Sequence, residues 1–296
     1  MNKFVLRQSL LLLLTAAIWG VAFVAQSVGM DFVGPYTFNG VRCLIGGLVL
    51  LPFIAVNNHM EKKTEEKKSK KLIVGGLLCG IILFVASSLQ QIGLQYTTVG
   101  KAGFITAMYI VIVPIIGIFF KKKAGLRIWI GVAIAVTGLY LLCMTSGGFH
   151  LQFGDLLVLF CAIVFSFHII VVDHFAPLVN GVKMSCIQFF TCGIISCICM
   201  FLFETPKMDQ IFAAWQPILY AGALSCGVGY TLQIVGQKGM NPTVASLIMS
   251  LESVISVLAG WIILGQKLSA REVLGCLFMF AAIILVQLPN KKKEME

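Results

Sequence analysis

The stretch TVASLIMSLESVISVLAGWIIL, residues 243–264, carries one ionisable side chain, Glu252, near its middle. At 1.5 Å per residue a helix over this run crosses the roughly 30 Å hydrocarbon core of a bilayer. Glu252 then lies about ten residues, or roughly 15 Å, from the start of the run. A charge at that depth is expensive, and persists mainly where it lines a cavity, finds a partner or handles a solute.

Nine further apolar runs share this character, at 9–26, 35–56, 72–95, 102–120, 128–145, 155–173, 184–203, 215–235 and 272–289. Of the 296 residues 59% are hydrophobic and 11% charged, with a mean hydropathy of +0.97. A soluble domain carries about 25% charged residues. Connections between runs are short, leaving almost no chain for a soluble domain. The fold class read from the sequence is an all-α polytopic membrane protein with ten transmembrane helices. The first run follows Lys3 and Arg7 as a signal peptide would, but it continues through Phe23 and Val24, beyond a secretory h-region of about 7–15 residues. It is read as the first transmembrane helix.

The net charge of +10 does not point to nucleic acid, because its placement follows the membrane. With the N-terminus inside, seventeen Lys and Arg residues fall on one face, including Lys3, Arg7, Lys62, Lys121, Arg127 and Lys291. Only Lys101, Lys207, Lys267 and Arg271 fall on the other, and Arg42 lies within a run. This is the positive-inside pattern, and it places both termini in the cytoplasm. The segment EKKTEEKKSKK (61–71) reads as a solvated loop or as a site for anionic lipid headgroups.

Sliding the sequence by 144 residues aligns Lys123, Arg127, Gly131 and Leu141 with Lys267, Arg271, Gly275 and Leu285. The chain therefore reads as two halves, 1–147 (helices 1–5) and 148–296 (helices 6–10). An odd number of spans per half gives the halves opposite orientations, the inverted-repeat plan in which substrate sites lie near the midplane between repeats. Pro35, Pro217 and Pro242 fall at or near first helical turns, where a missing N–H costs little. Pro114 lies inside the fourth run, removes the hydrogen bond to the Ile110 carbonyl and is expected to bend that helix.

The polar residues within the runs are the candidate site. Arg42, about seven residues into the second run, offers a planar fork suited to carboxylates. Its alternatives are pairing with Glu252 and snorkelling to the interface. Glu252 can bind a proton, pair with a cation, contact a substrate amine or hold two helices together. Trp19, Asn39, Tyr109, Gln91, Tyr230 and Gln233 can line a pathway with them, as can Gln90 and Gln188, or bond helix to helix. Lys101 opens the fourth run, where a gating role is open to it. His168 reads as a helix–helix hydrogen bonder or a proton relay, and Asp155 as a charge complementing a helix N-terminus. All ten cysteines fall in or at the edges of apolar runs without a paired Cys-x-x-Cys ligand set. They read as small apolar residues, and neither a metal nor a cofactor is expected.

The strings TAAIWGVAF (15–23), GPYTFNGVR (34–42), VGKAGFITAMYIVIVP (99–114), YAGALSCGVGYTLQIVGQK (220–238) and SLESVISVLAGWIILGQKLSAREVLG (250–275) resemble the EamA-type branch of the drug/metabolite transporter superfamily over nearly the whole chain. The resemblance implies two inverted five-helix repeats around a central cavity that opens alternately to each side. It also implies transport, often export, of amino acids, related metabolites or toxic compounds, usually across a bacterial inner membrane. Two positions depart from the family pattern. Gln266 stands where a Leu-Gly-Glu string has Glu, and Ser253 where a Leu-Glu-Pro string has Pro.

The function expected is secondary active efflux of small metabolites, amino acids or related compounds, by alternating access. No Gly-x-x-x-x-Gly-Lys-[Ser/Thr] phosphate loop is present, which disfavours ATP-driven pumping by this chain. A channel and an intramembrane enzyme are the alternatives. The enzyme reading finds neither His-Glu-x-x-His nor Gly-x-Ser-x-Gly, so no catalytic residue is assigned. The partners expected are a small-molecule substrate and the lipid bilayer. Small-residue helix faces that can pack within or between chains leave a homodimer open.

Overall fold

The computed structural model describes residues 3–60, 67–97, 99–119, 125–143, 152–264 and 269–287. Every regular element among them is helical, as a chain that must satisfy its backbone inside lipid requires. Eight segments are long and apolar enough to cross a membrane, and 126–141 and 273–286 form two shorter apolar helices. These ten coincide with the ten runs, and the protein is an all-α polytopic membrane protein. The boundary read at 147/148 lies outside the described residues.

Five crossings are single helices: α1 (Lys3–Gly29), α2 (Pro35–Met60), α3 (Lys67–Gly93), α7 (Phe153–Phe175) and α8 (Gly181–Phe203). The two shorter helices, α6 (Leu126–Cys143) and α14 (Ala270–Gln287), pack against each other. The other three crossings are interrupted. The fourth consists of α4 (Val99–Ala107) and α5 (Tyr109–Phe119), and the ninth of α12 (Pro242–Met249) and α13 (Glu252–Leu264). The eighth follows a short helix, α9 (Met208–Ala213), and runs through α10 (Trp215–Leu219), a π-helix (Tyr220–Tyr230) and α11 (Thr231–Gln237).

The fourth and ninth crossings each break part-way along. Met108 interrupts one, Ser250 and Leu251 the other, and Tyr109 and Glu252 each open the second half-helix, 143 residues apart. Pro114 lies inside α5, six residues beyond the interruption at Met108. The helix α5 begins at Tyr109 and continues through Pro114. The ninth crossing breaks without a proline. There the Ser250 hydroxyl donates to the Leu247 carbonyl at 2.7 Å and the Ser253 amide turns back to Ser250 at 3.1 Å. Local serine bonding of this kind competes with the helical ladder.

The half-helices cross, α4 packing on α13 and α5 on α12, while α1 lies along both α12 and α13. Close approach depends on Gly20 of α1, where a Cβ would stand 2.4 Å from the Ile255 Cβ and 2.7 Å from the Glu252 carbonyl oxygen. At one end of the bundle Glu204, just past α8, caps α2. Its carboxylate accepts from the Tyr36 and Thr37 amides, both at 2.8 Å, and from the Thr37 hydroxyl at 2.6 Å. Glu204→Ala is expected to lower stability by about 1 kcal/mol, the usual worth of a cap, read as a drop in the thermal midpoint of the detergent-solubilised protein. Asp155 acts at the start of α7 as its sequence position suggested, accepting from the Gln152 amide at 3.0 Å and from the Thr97 hydroxyl.

Candidate functional site

The two breaks, the second half of α1 and the π-helix enclose a central cavity. From α1 come Trp19, Ala22, Phe23 and Gln26, and from the broken crossings Thr106, Tyr109, Met249 and Glu252. Arg42, Gln90, Phe165, Ile169, Ser225, Tyr230 and Gln233 complete the wall. Both charged residues that stood out in the sequence therefore face one space, although they lie 210 positions apart in the chain.

Glu252 is 4% exposed and accepts a hydrogen bond from the Tyr109 hydroxyl at 2.9 Å. The bond joins the first residue of one half-helix to the first residue of its counterpart, so it lies where the two broken crossings meet. Arg42 is 5% exposed, with its guanidinium 5.5 Å from the centre of the Phe38 ring and its Nε without a hydrogen-bond partner. Among the described residues no carboxylate pairs with Arg42, and the Tyr109 hydroxyl is the side-chain partner of Glu252. The guanidinium and the carboxyl thus share a cavity without neutralising each other in an ion pair.

Aromatic rings line the same cavity. Trp19 and Tyr230 stack at 4.6 Å with their planes tilted by 53°, and Phe23, Tyr109 and Phe165 add further faces. The indole Nε1 of Trp19 donates to the Ser225 carbonyl at 3.4 Å, and the Thr15 hydroxyl donates to the Gly229 carbonyl at 3.2 Å. Both acceptors belong to the π-helix, whose i→i+5 pattern is often found at functional sites.

The cavity is small in this structure, about 30 Å³. That is room for about two waters, so a metabolite requires the walls to part. Toward its N-terminal end α1 packs on the chain around α11. Leu12 is fully buried against Gly236, Gln8 donates to the Val235 and Lys238 carbonyls at 2.9 and 2.8 Å, and Gln237 donates to the Ile169 carbonyl at 3.3 Å.

Of the residues picked out in the sequence, Arg42, Glu252, Trp19, Tyr109, Tyr230 and Gln233 meet at the cavity. Asn39 and Gln91 do not line it. Gln91 is turned about 100° around α3 from Gln90 and donates to the Gln26 carbonyl of α1 at 3.2 Å. Asn39 is fully buried elsewhere on α2. The side chain of Lys101 lies outside the described residues. Gln26, Thr106, Phe23 and Phe165 join the wall without having been singled out. Gln26 was detectable as a polar interruption of an apolar run, whereas a phenylalanine facing a cavity looks in sequence like one facing lipid.

The sequence profile of the EamA-like transporter family matches residues 6–144 and again residues 152–288. The chain belongs to the EamA-like transporter family. Its relatives include an uncharacterized transporter of Archaeoglobus fulgidus, 32% identical over 94% of this chain and 84% of the relative. The uncharacterized inner membrane transporter YedA of Escherichia coli K12 is 23% identical over 92% and 87%. A crystal structure that shares 17% identity superposes with a TM-score of 0.78 over 97% of this chain and 98% of its own, which shows a common fold. As an EamA-like transporter the chain is a membrane protein of a transport family, and the cavity is the place in its fold where polar groups converge.

Proposed function

We propose that this EamA-like protein is a secondary transporter that exports small zwitterionic metabolites, amino acids or related compounds, by alternating access through the central cavity. The observation behind this reading is the unpaired coexistence of Arg42 and Glu252 in one cavity lined by aromatic rings. Arg42 receives the anionic end of the solute and Glu252 its amine or a proton. Trp19, Tyr109, Tyr230 and Gln233 hold the body between them. In the positive-inside orientation both termini are cytoplasmic, and the packing of Gln8 and Leu12 against α11 lies on the cytoplasmic side of the cavity. The setting is the bacterial inner membrane, multi-pass.

The test expresses wild type, Glu252→Gln and Arg42→Ala at matched membrane levels and compares metabolites in cells and medium with an empty vector. A compound enriched outside and depleted inside only with wild type names the export substrate. Enrichment inside the cells reverses the direction, and equal profiles in all four strains overturn the reading. Saturable uptake with counterflow in proteoliposomes separates a carrier from a channel.

Tyr109 holds the carboxyl in place, so Tyr109→Phe is expected to raise the half-saturating concentration about tenfold, from the loss of a charge-assisted hydrogen bond. The maximal rate should change less. Initial-rate measurements on the same proteoliposomes check this, and an unchanged half-saturating concentration would remove Tyr109 from the site.

A further inference from the structure

A second and much roomier cavity, of about 280 Å³, lies at the far end of α8. Because α8 is the seventh crossing, the chain that follows it emerges on the face opposite the N-terminus. Gly34 and Thr37 line the cavity from the entry to α2, and Glu204, Lys207 and Gln210 line it from the chain after α8. This segment falls between the spans Gly181–Phe203 and Trp215–Gln237, so it sits at the level of the lipid headgroups.

The Glu204 carboxylate has a built seat. A Cβ on Gly34 would stand 2.5 Å from both of its oxygens, so the glycine makes the space it occupies. A carboxylate has about four lone-pair sites. Three are taken by the Tyr36 amide, the Thr37 amide and the Thr37 hydroxyl, which leaves one acceptor for a further donor. Lys207 is exposed and lines the same cavity, and among the described residues no ion pair joins it to Glu204. The cavity thus offers a fixed acceptor and an ammonium on a flexible stem that do not neutralise each other.

The surface beside it is apolar. Ile211 packs inward on the cluster that contains Val33 and Phe38, while Met208 and Phe212, one turn apart on α9, are exposed together with Trp215. Phe203, exposed at the end of α8, has its ring 5.8 Å from that of Tyr36. Aromatic side chains gather at this depth of a bilayer because one end meets hydrocarbon and the other the headgroups. A pocket that presents both charges, set against an exposed apolar surface, complements an amphiphile whose head carries both charges.

We propose that this cavity binds the head of a zwitterionic phospholipid with a primary ammonium, phosphatidylethanolamine, in the leaflet opposite the termini. The ammonium donates to the open lone pair of Glu204. The phosphate meets Lys207 and the Gln210 amide, and the acyl chains run down past Phe203, Phe212 and Trp215. A choline head has no N–H to donate, and a glycerol head has no cation. The lipid joins the entry of α2 to the exit of α8, two helices from different halves of the chain.

The experiment uses the full chain, purified and delipidated in detergent, and native mass spectrometry with phosphatidylethanolamine, phosphatidylcholine and phosphatidylglycerol of identical acyl chains. Phosphatidylethanolamine is expected to give at least fivefold more adduct than either of the others. Lys207→Glu and Glu204→Gln are each expected to bring it down to the phosphatidylcholine level. Glutamine keeps one carbonyl oxygen for the start of α2 and Lys207 is exposed, so both variants are expected to elute as wild type in size exclusion. Equal binding of the three lipids overturns the proposal, and so does a preference that both variants leave intact. Free phosphoethanolamine at the same concentration is expected to leave the lipid adduct in place. Its displacing the lipid would overturn the lipid assignment in favour of a soluble solute. None of these readouts requires transport, so the lipid site and the export reading stand or fall separately.

Discussion

Cells producing Glu252→Gln are expected to lose export of the wild-type substrate by about tenfold or more, the signature of removing a group used during the transport step itself. The substitution is narrow. Glutamine keeps the length of the side chain, and its carbonyl still accepts from the Tyr109 hydroxyl that holds Glu252 at 2.9 Å, so the junction of the half-helices is retained. What disappears is the ability to carry a negative charge or a proton at the centre of the fold. Glu252→Asp restores the carboxyl but withdraws it by one methylene, and it is expected to recover part of the activity. The measurement is the outside-to-inside ratio of the identified compound at equal protein levels. Full accumulation by Glu252→Gln would remove the carboxyl from the coupling step.

Gly20→Val is expected to remove the folded protein from the membrane almost entirely. A Cβ at this position meets Ile255 Cβ at 2.4 Å and the Glu252 carbonyl oxygen at 2.7 Å. The second contact is to backbone, so a rotamer change cannot relieve it. Overpacking of a tight core costs about 1–3 kcal/mol, occasionally more, and α1 has to move away from the ninth crossing along much of its length. Even Gly20→Ala carries the clash, while Gly125→Ala, whose Cβ meets nothing within 4 Å, is expected to behave as wild type. Size-exclusion profiles of fluorescently tagged protein rank the three variants, and a monodisperse Gly20→Val peak at wild-type height would contradict the helix contact.

The crossings were legible in the sequence because hydrocarbon imposes one requirement on every residue of a span. The two charges were legible for the same reason, since Arg42 and Glu252 each stand against an apolar background. The break in the ninth crossing was hidden, because it depends on where the Ser250 hydroxyl points rather than on a proline. Pro114 was the visible irregularity and lies six residues beyond the actual interruption at Met108. The cavity wall was only partly legible. Gln90 and Gln91 are indistinguishable as letters, and the helical rotation between neighbours sends one to the cavity and the other to the backbone of α1. The 144-residue offset read from four identities is within one residue of the 143 that separates Tyr109 from Glu252, the first residues of the two second half-helices.

The eleven-residue π-helix has a bearing on how this bundle can change shape. It hands over directly to α11, so Ser225 and Tyr230 lie within it while Gln233 and Gln237 ride on the helix that follows. Each residue that such a segment exchanges between π and α geometry turns the chain beyond it by the difference between the two twists, a fraction of the roughly 100° per residue of an α-helix, while the backbone keeps a bonded partner. The eighth crossing thus contains a screw thread, in which a small axial slip on one side of the membrane is read as a rotation of side chains on the other.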